Sequence, residues 1–206
     1  MRTSICRLVV PFAAALLLQA GAVAAPVTYI FKGTIAGTLD GVSVQGALTL
    51  TVTGDTDDVT VQSGNQYRLE VPANVPTFDL EGSGSFVITN DSYVFDNQAL
   101  GVLGFGVLGL PVACCDIIQH RVGDTYENYD LKSSFGPLDA PSNPSLGDWI
   151  DVPTSAGPFT VTRMENNSFQ AIVASVPEPG ALALMLLALL PLAMPGVLRR
   201  RVTMGR

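Results

Sequence analysis

The sequence predicts an all-β domain, an antiparallel β-sandwich or jelly roll, followed by one C-terminal transmembrane helix. Three observations predict it. Apolar and polar residues alternate with period two through residues 42–53, where Leu48, Leu50 and Val52 face one way and Thr49, Thr51 and Thr53 the other. No segment before Ala181 sustains a helical period, while 20 Gly and 14 Pro punctuate the chain. Residues 181–198 (ALALMLLALLPLAMPGVL) carry no charge, about 27 Å of helix at ~1.5 Å per residue, which just spans a ~30 Å hydrocarbon core.

In chain order, residues 1–24 have the three parts of a secretory signal peptide. Arg2 and Arg7 supply the positive start, residues 8–18 the apolar stretch, and Ala22-Val23-Ala24 the small-x-small cleavage site. Cleavage is expected between Ala24 and Ala25, since a cut after Ala25 would leave Pro26 directly past the scissile bond. The other reading, a retained anchor, fails on length, because a span needs ~20 apolar residues. Cys6 precedes the apolar stretch, which is the wrong side for a lipoprotein cysteine.

Residues 25–175 form the predicted β domain. All 18 acidic residues of the chain and five of its 11 basic ones fall between residues 25 and 179, a net charge of −13. A surface that acidic repels phosphate and excludes nucleic acid as a partner. Residues 27–35 (VTYIFKGTI) and 42–53 read as two strands joined by a turn at 38–42 (TLDGV). Residues 59–71, 85–89 with 92–95, and 113–120 supply further strands. Residues 136–158 hold Pro137, Pro141, Pro144, Pro153 and Pro158 and read as a long surface loop, with Trp149 packed onto the edge of the sandwich. The last pair, 159–164 and 168–176, flanks Glu165-Asn166-Asn167, a hairpin turn by composition. There is no repeat at solenoid spacing.

Candidate chemistry in this domain is thin. Gly104-Phe105-Gly106-Val107-Leu108-Gly109 satisfies G-x-G-x-x-G, but Leu110-Pro111 follows where a dinucleotide site needs a helix. A glycine-rich, bulged strand packed against its neighbours is the better account. Cys114-Cys115 would sit in an oxidising compartment after export. The pair could close a vicinal disulfide, stay as buried thiols, or bridge to another chain. The sole histidine, His120, leaves no zinc-ligand set. Asp55, Asp57 and Asp58 are a weak candidate calcium cradle, but the EF-hand spacing fails and a solvated acidic turn is the better account. One ladder of Thr49, Thr51 and Thr53 is fewer than an ice-binding face requires, and threonine favours strands anyway. Gly82-Ser83-Gly84-Ser85-Phe86 is not a nucleophile elbow, and a catalytic triad would rest on His120 alone. The residues therefore predict no catalytic activity and call for no cofactor or metal.

The C-terminus, residues 176–206, is more informative. Val176-Pro177-Glu178-Pro179-Gly180 abuts the apolar run directly. Pro177 and Pro179 cannot donate backbone hydrogen bonds and disfavour helix before them, so an extended stalk with Glu178 as its charged handle is expected. Pro191 and Pro195 make the following helix marginal. Arg199, Arg200 and Arg201 hold its far end in the cytoplasm by the positive-inside rule, which places the acidic domain outside the inner membrane. The bland reading is a permanent single-pass anchor. A glycolipid-anchor signal normally lacks the basic cluster, and a Gram-positive sortase signal needs Leu-Pro-x-Thr-Gly, which is absent.

Pro-Glu-Pro, an apolar helix and a terminal Arg cluster, in that order over residues 176–201, resemble the PEP-CTERM sorting signal of Gram-negative bacteria that make exopolysaccharide. The tail 202–206 extends slightly beyond the usual end. The resemblance implies recognition by an exosortase, a membrane-embedded cysteine transpeptidase-like enzyme, and cutting near residues 177–180. Signal peptidase and exosortase would be the processing partners, the inner membrane a transient one. The middle is also loosely similar to the β-rich passengers of that signal, through Tyr129-Asp130-Leu131, Pro153-Thr154-Ser155-Ala156-Gly157 and Ser168-Phe169-Gln170-Ala171. Those passengers share no enzymatic activity. The expectation is an exported cell-surface or exopolysaccharide-matrix protein of structural or adhesive type. Two alternatives stand beside it. One is a secreted polysaccharide-acting enzyme, which would need two carboxylates roughly 5–10 Å apart across a cleft. The other is an uncut, membrane-anchored periplasmic protein.

Overall fold

A computed structural model describes residues 24–110, 116–140 and 149–175. The transmembrane segment expected at 181–198 and the whole C-terminal signal lie outside them. The described chain is all-β, with 63% strand and 7% helical residues, arranged in two antiparallel sheets.

The strands are β1 (Pro26–Leu39), β2 (Val42–Asp55), β3 (Val59–Gln62), β4 (Gln66–Val71), β5 (Thr77–Leu80), β6 (Gly84–Val87), β7 (Ser92–Asn97), β8 (Val102–Val107), β9 (Asp116–Arg121), β10 (Phe135–Asp139) and β11 (Phe159–Val173). One sheet has six strands in the order β10-β11-β1-β2-β5-β6, the other five in the order β3-β4-β7-β8-β9. The period-two pattern holds in β2, where Leu48, Leu50 and Val52 are buried and Thr49, Thr51 and Thr53 lie on the outer face. Asp40 and Gly41 close the β1–β2 hairpin with φ of 49° and 76°, the two positive values that a two-residue type I′ turn requires.

Inner faces of the two sheets meet through Phe31 on β1 and Phe105 on β8, with ring centroids 6.4 Å apart. Around them Tyr29, Leu50, Leu69, Val94, Leu103, Ile118 and Phe169 are all buried. Alternation puts one face of each strand into this layer, and burial of that face is the main stabilising term.

Three expectations need correction. Residues 59–71 are not one strand. Ser63-Gly64-Asn65 reverses the chain, Gly64 and Asn65 taking φ of 72° and 60°, so β3 pairs back on β4. Glu165-Asn166-Asn167 makes no hairpin; β11 runs straight through it for 15 residues. Lys32 pairs Ser168 and Thr34 pairs Glu165, so Asn166 and Asn167 together oppose Gly33. That is a β-bulge, with Asn166 at φ 53°. Asparagine tolerates the left-handed region, and composition alone cannot tell a bulge from a reversal. Glycine at 33 makes room for the bulge, since a Cβ there would run into Met164 and lie 2.7 Å from the Asn167 Oδ1.

Within the predicted loop, the described residues 136–140 and 149–158 carry regular pairing. β10 occupies an edge and pairs with β11, and Pro137 fits there because an edge strand can spare a donor. Trp149 is fully buried, stacked on Phe78 at 5.7 Å and edge-on to Phe159 at 5.6 Å. Its carbonyl accepts from Val161 N–H, and Val152 exchanges both backbone bonds with Phe159. Pro153 and Ser155 then bond to Thr89 and Val87 beyond the other edge of the same sheet. Phe86 on β6 and Phe159 on β11 touch at 5.3 Å although three strands separate them in the sheet order. The six-stranded sheet therefore curls, and residues 149–155 strap its curl shut over an aromatic core of Phe78, Phe86, Trp149 and Phe159.

Candidate functional site

Two polar assemblies stand out, on opposite faces of the five-stranded sheet. The outer one begins with two glycines. On β8, Gly104 and Gly106 point outward, beside Phe95 and Tyr93 of β7 in the pairs Phe95↔Gly104 and Tyr93↔Gly106. A Cβ on Gly104 would lie 2.6 Å from the Phe95 ring, and one on Gly106 would enter the Tyr93 ring. Only glycine lets both rings lie down across β8. This places Gly104 and Gly106 inside a strand with a register shift at Phe105/Gly106, in a local fold unlike a dinucleotide turn.

The rings organise what surrounds them. Arg68 on β4 stacks on Tyr93, its guanidinium carbon 3.9 Å from the ring centre. Its Nη2 lies 3.5 Å from the exposed Glu70 carboxylate, and its Nε is buried with no hydrogen-bond partner. The Tyr93 hydroxyl donates to Asp116 Oδ1 at 2.6 Å, Gln119 Nε2 to Asp116 Oδ2 at 3.3 Å, and Arg121 Nη2 to Gln119 Oε1 at 2.9 Å. Between these groups and the β3–β4 hairpin lies an open groove of about 280 Å³, lined also by Gln62, Gln66 and Asn97.

The inner assembly is a pair of titratable groups in one row of the sheet. Asp96 pairs Leu103, and Leu103 pairs His120, so Asp96 and His120 flank Leu103 on the core side. Asp96 is fully buried and neither carboxylate oxygen has a hydrogen-bond partner. Burial, and secondarily the charge of Asp130, raise its pKa from the ordinary 3.8 to about 7. His120 is buried too, with Nδ1 2.6 Å from the Tyr126 hydroxyl. Burial lowers its pKa, against the smaller opposing effects of the Asn167 backbone carbonyl and of Asp139. The phenols of Tyr29, Tyr126 and Tyr129 are pushed above their ordinary value, chiefly by burial. Strand alternation turns the Asp96 and Asp116 side chains to opposite faces of the sheet, while both residues border the outer groove.

Of the residues singled out in the sequence, Pro177, Glu178, Pro179, Arg199, Arg200, Arg201, Ala22, Cys114 and Cys115 lie outside the described residues. Ala24 opens the described chain, half-buried just before β1. Asp55 Oδ1 accepts the Asp57 N–H at 2.9 Å and caps a single 3₁₀ turn at Thr56–Asp58, with Asp57 and Asp58 exposed. Among the described residues no three His, Cys, Asp or Glu side chains converge as a metal ion would need. The segments resembling β-rich passengers carry packing roles. The Tyr129 hydroxyl donates to Ser133 O, and Leu131 O accepts from the Tyr29 hydroxyl at 2.6 Å. Thr154 Oγ1 donates to Gly157 O and closes a turn, while Phe169 is buried at the centre of the aromatic layer.

Sequence reasoning missed the groove. Its signal was present in Tyr93-Val94-Phe95 followed by Gly104-Phe105-Gly106, two aromatics and two glycines on matching alternate positions, visible only once the strands are paired. Comparison with protein-family models, with curated proteins and with solved structures finds no match to this chain.

Proposed function

We propose that the chain is an exported cell-surface or exopolysaccharide-matrix protein, sorted by an exosortase, with a structural or adhesive role and no catalysis of its own. Its β domain is read as a sandwich of the jelly-roll type. The observation that carries the reading is the order of segments at the C-terminus. Pro177-Glu178-Pro179, an uncharged run at 181–198 and Arg199-Arg200-Arg201 follow a domain that itself follows a secretory signal. The precursor would be held in the inner membrane with its acidic domain in the periplasm, cut near residues 177–180, and then passed to the surface or matrix.

Intact-mass spectrometry of the protein from its native envelope and medium, with and without the host's exosortase, tests this. The expected result is a chain ending near residues 177–180 only when the enzyme is present. A chain that keeps its apolar run and Arg cluster in both strains would make it a plain anchored protein.

A further inference from the structure

We infer that the groove on the outer face of the five-stranded sheet is a binding subsite for a neutral sugar residue of a polysaccharide. The inference rests on the matrix reading above for its source of ligand, and on the groove's own geometry for its chemistry.

The first argument is order where none is needed for folding. Arg68, Tyr93, Phe95, Asp116, Gln119 and Arg121 all sit on the face turned away from the core, where long side chains ordinarily keep their rotamer freedom. Here they are held: Phe95 lies over Gly104, Tyr93 over Gly106, Arg68 over Tyr93, and Asp116 is fixed by both Tyr93 and Gln119. Side chains locked by their neighbours on a rigid sheet are what a preorganised site requires.

The second argument is the match of chemistry. A sugar hydroxyl both donates and accepts, and a sugar ring has an apolar C–H face. The groove supplies the partly exposed Arg68 guanidinium, the Asp116 carboxylate, the exposed Gln66 amide, and the half-buried Phe95 ring. An aromatic surface flanked by a few convergent polar groups is the usual composition of a small-molecule site. The volume of about 280 Å³ falls just below the ~300–1,000 Å³ of such sites, which suits a single ring of a longer chain entering an open groove.

Charge selects a neutral sugar over an anionic one. At the groove itself the Asp116 carboxylate offsets the Arg68 guanidinium, and residues 25–179 carry −13 overall. A polyuronate would approach against that field.

The test uses the full chain purified in detergent from the host envelope, with native folding checked by Trp149 fluorescence. Saturation-transfer NMR and calorimetry are run against gluco-, manno- and galacto-hexaoses and against a hexauronate. At least one neutral hexaose is expected to bind, and the hexauronate more weakly or not at all. Arg68→Gln and Gln66→Ala should each weaken binding about tenfold or more, the Arg change most, since it removes a charged donor. Thr51→Ala, on the outer face of the other sheet, should leave binding unchanged. The inference is overturned if the folded chain binds none of the neutral hexaoses. It also fails if the uronate binds best, or if both groove variants bind like the parent. Absence of sugar binding in a protein that the host's exosortase cuts normally would sink the groove alone, and sugar binding by a protein whose C-terminus stays intact in the exosortase-bearing host would sink only the sorting.

Discussion

Asp96→Asn should stabilise the protein, and should do so increasingly as the pH rises. The carboxyl is fully buried with both oxygens unpartnered, and its pKa stands near 7 in the fold against an ordinary 3.8. Between about pH 4 and pH 7 the folded chain therefore holds a proton that the unfolded chain has released. Stability falls across that window by ~1.4 kcal/mol per pH unit, ~4 kcal/mol in all, and levels off above it. An amide has nearly the same shape and no charge to desolvate, so the variant escapes this loss. Urea unfolding followed by Trp149 fluorescence, at half-unit steps from pH 4 to pH 8.5, gives the two stability curves. The informative quantity is their difference, because every other titrating group cancels in it. That difference should be smallest near pH 4 and grow by ~4 kcal/mol to a plateau above pH 7. Asp130→Asn, which removes the nearby negative charge, should bring the plateau in at lower pH. A difference that stays flat with pH would refute the reasoning, as would an Asp96→Asn chain less stable than its parent at pH 8. Either result would mean that the carboxylate is ionised and engaged.

With Asp96 neutralised, the acid limb should belong to His120. Its folded pKa is lowered by burial, so the unfolded chain takes up a proton first, and the Asp96→Asn variant should lose stability as the pH falls below ~6.5, read from the same urea series. Trp149→Ala should cost ~3–5 kcal/mol, seen by circular dichroism, because the indole is buried between Phe78 and Phe159 and its segment straps the curled sheet. Gly106→Ala drives a methyl into the Tyr93 ring and should cost ~1–3 kcal/mol, while Gln66→Ala on the same face should stay within ~0.5 kcal/mol; chemical-denaturation midpoints separate them. Asn166→Val should cost ~1–2 kcal/mol for a branched side chain in the left-handed region, and Asn166→Gly almost nothing, measured the same way.

The parts of the fold legible in the sequence were those written in local patterns. The alternation of Leu48, Leu50 and Val52 with three threonines specifies which face of β2 is buried, and Asp40-Gly41 specifies a tight turn, because both depend only on near neighbours. Glu165-Asn166-Asn167 was misread for the opposite reason. Its composition reports a residue in the left-handed region but not whether the chain reverses, and that depends on pairing with β1 around Gly33, more than a hundred residues earlier in the sequence. Trp149 and the prolines around it look like loop because no periodicity survives there, yet the indole is among the most buried groups in the domain. The groove is illegible for the same reason at a larger scale. Gly104 and Gly106 in isolation suggest a phosphate loop or a weak strand, and Tyr93 and Phe95 suggest core. Only the register Tyr93↔Gly106 and Phe95↔Gly104 turns the four residues into one surface, since each glycine is the space into which the facing ring lies. The inner face shows the complementary case. Asp96 occupies a position that alternation assigns to an apolar residue, between Val94 and the β7 terminus. A charged residue at a core position is a local conflict that stability alone would remove. That conflict and the ordered outer face occupy the two sides of the same three strands, β7, β8 and β9, and it is there that this sequence departs furthest from what folding requires.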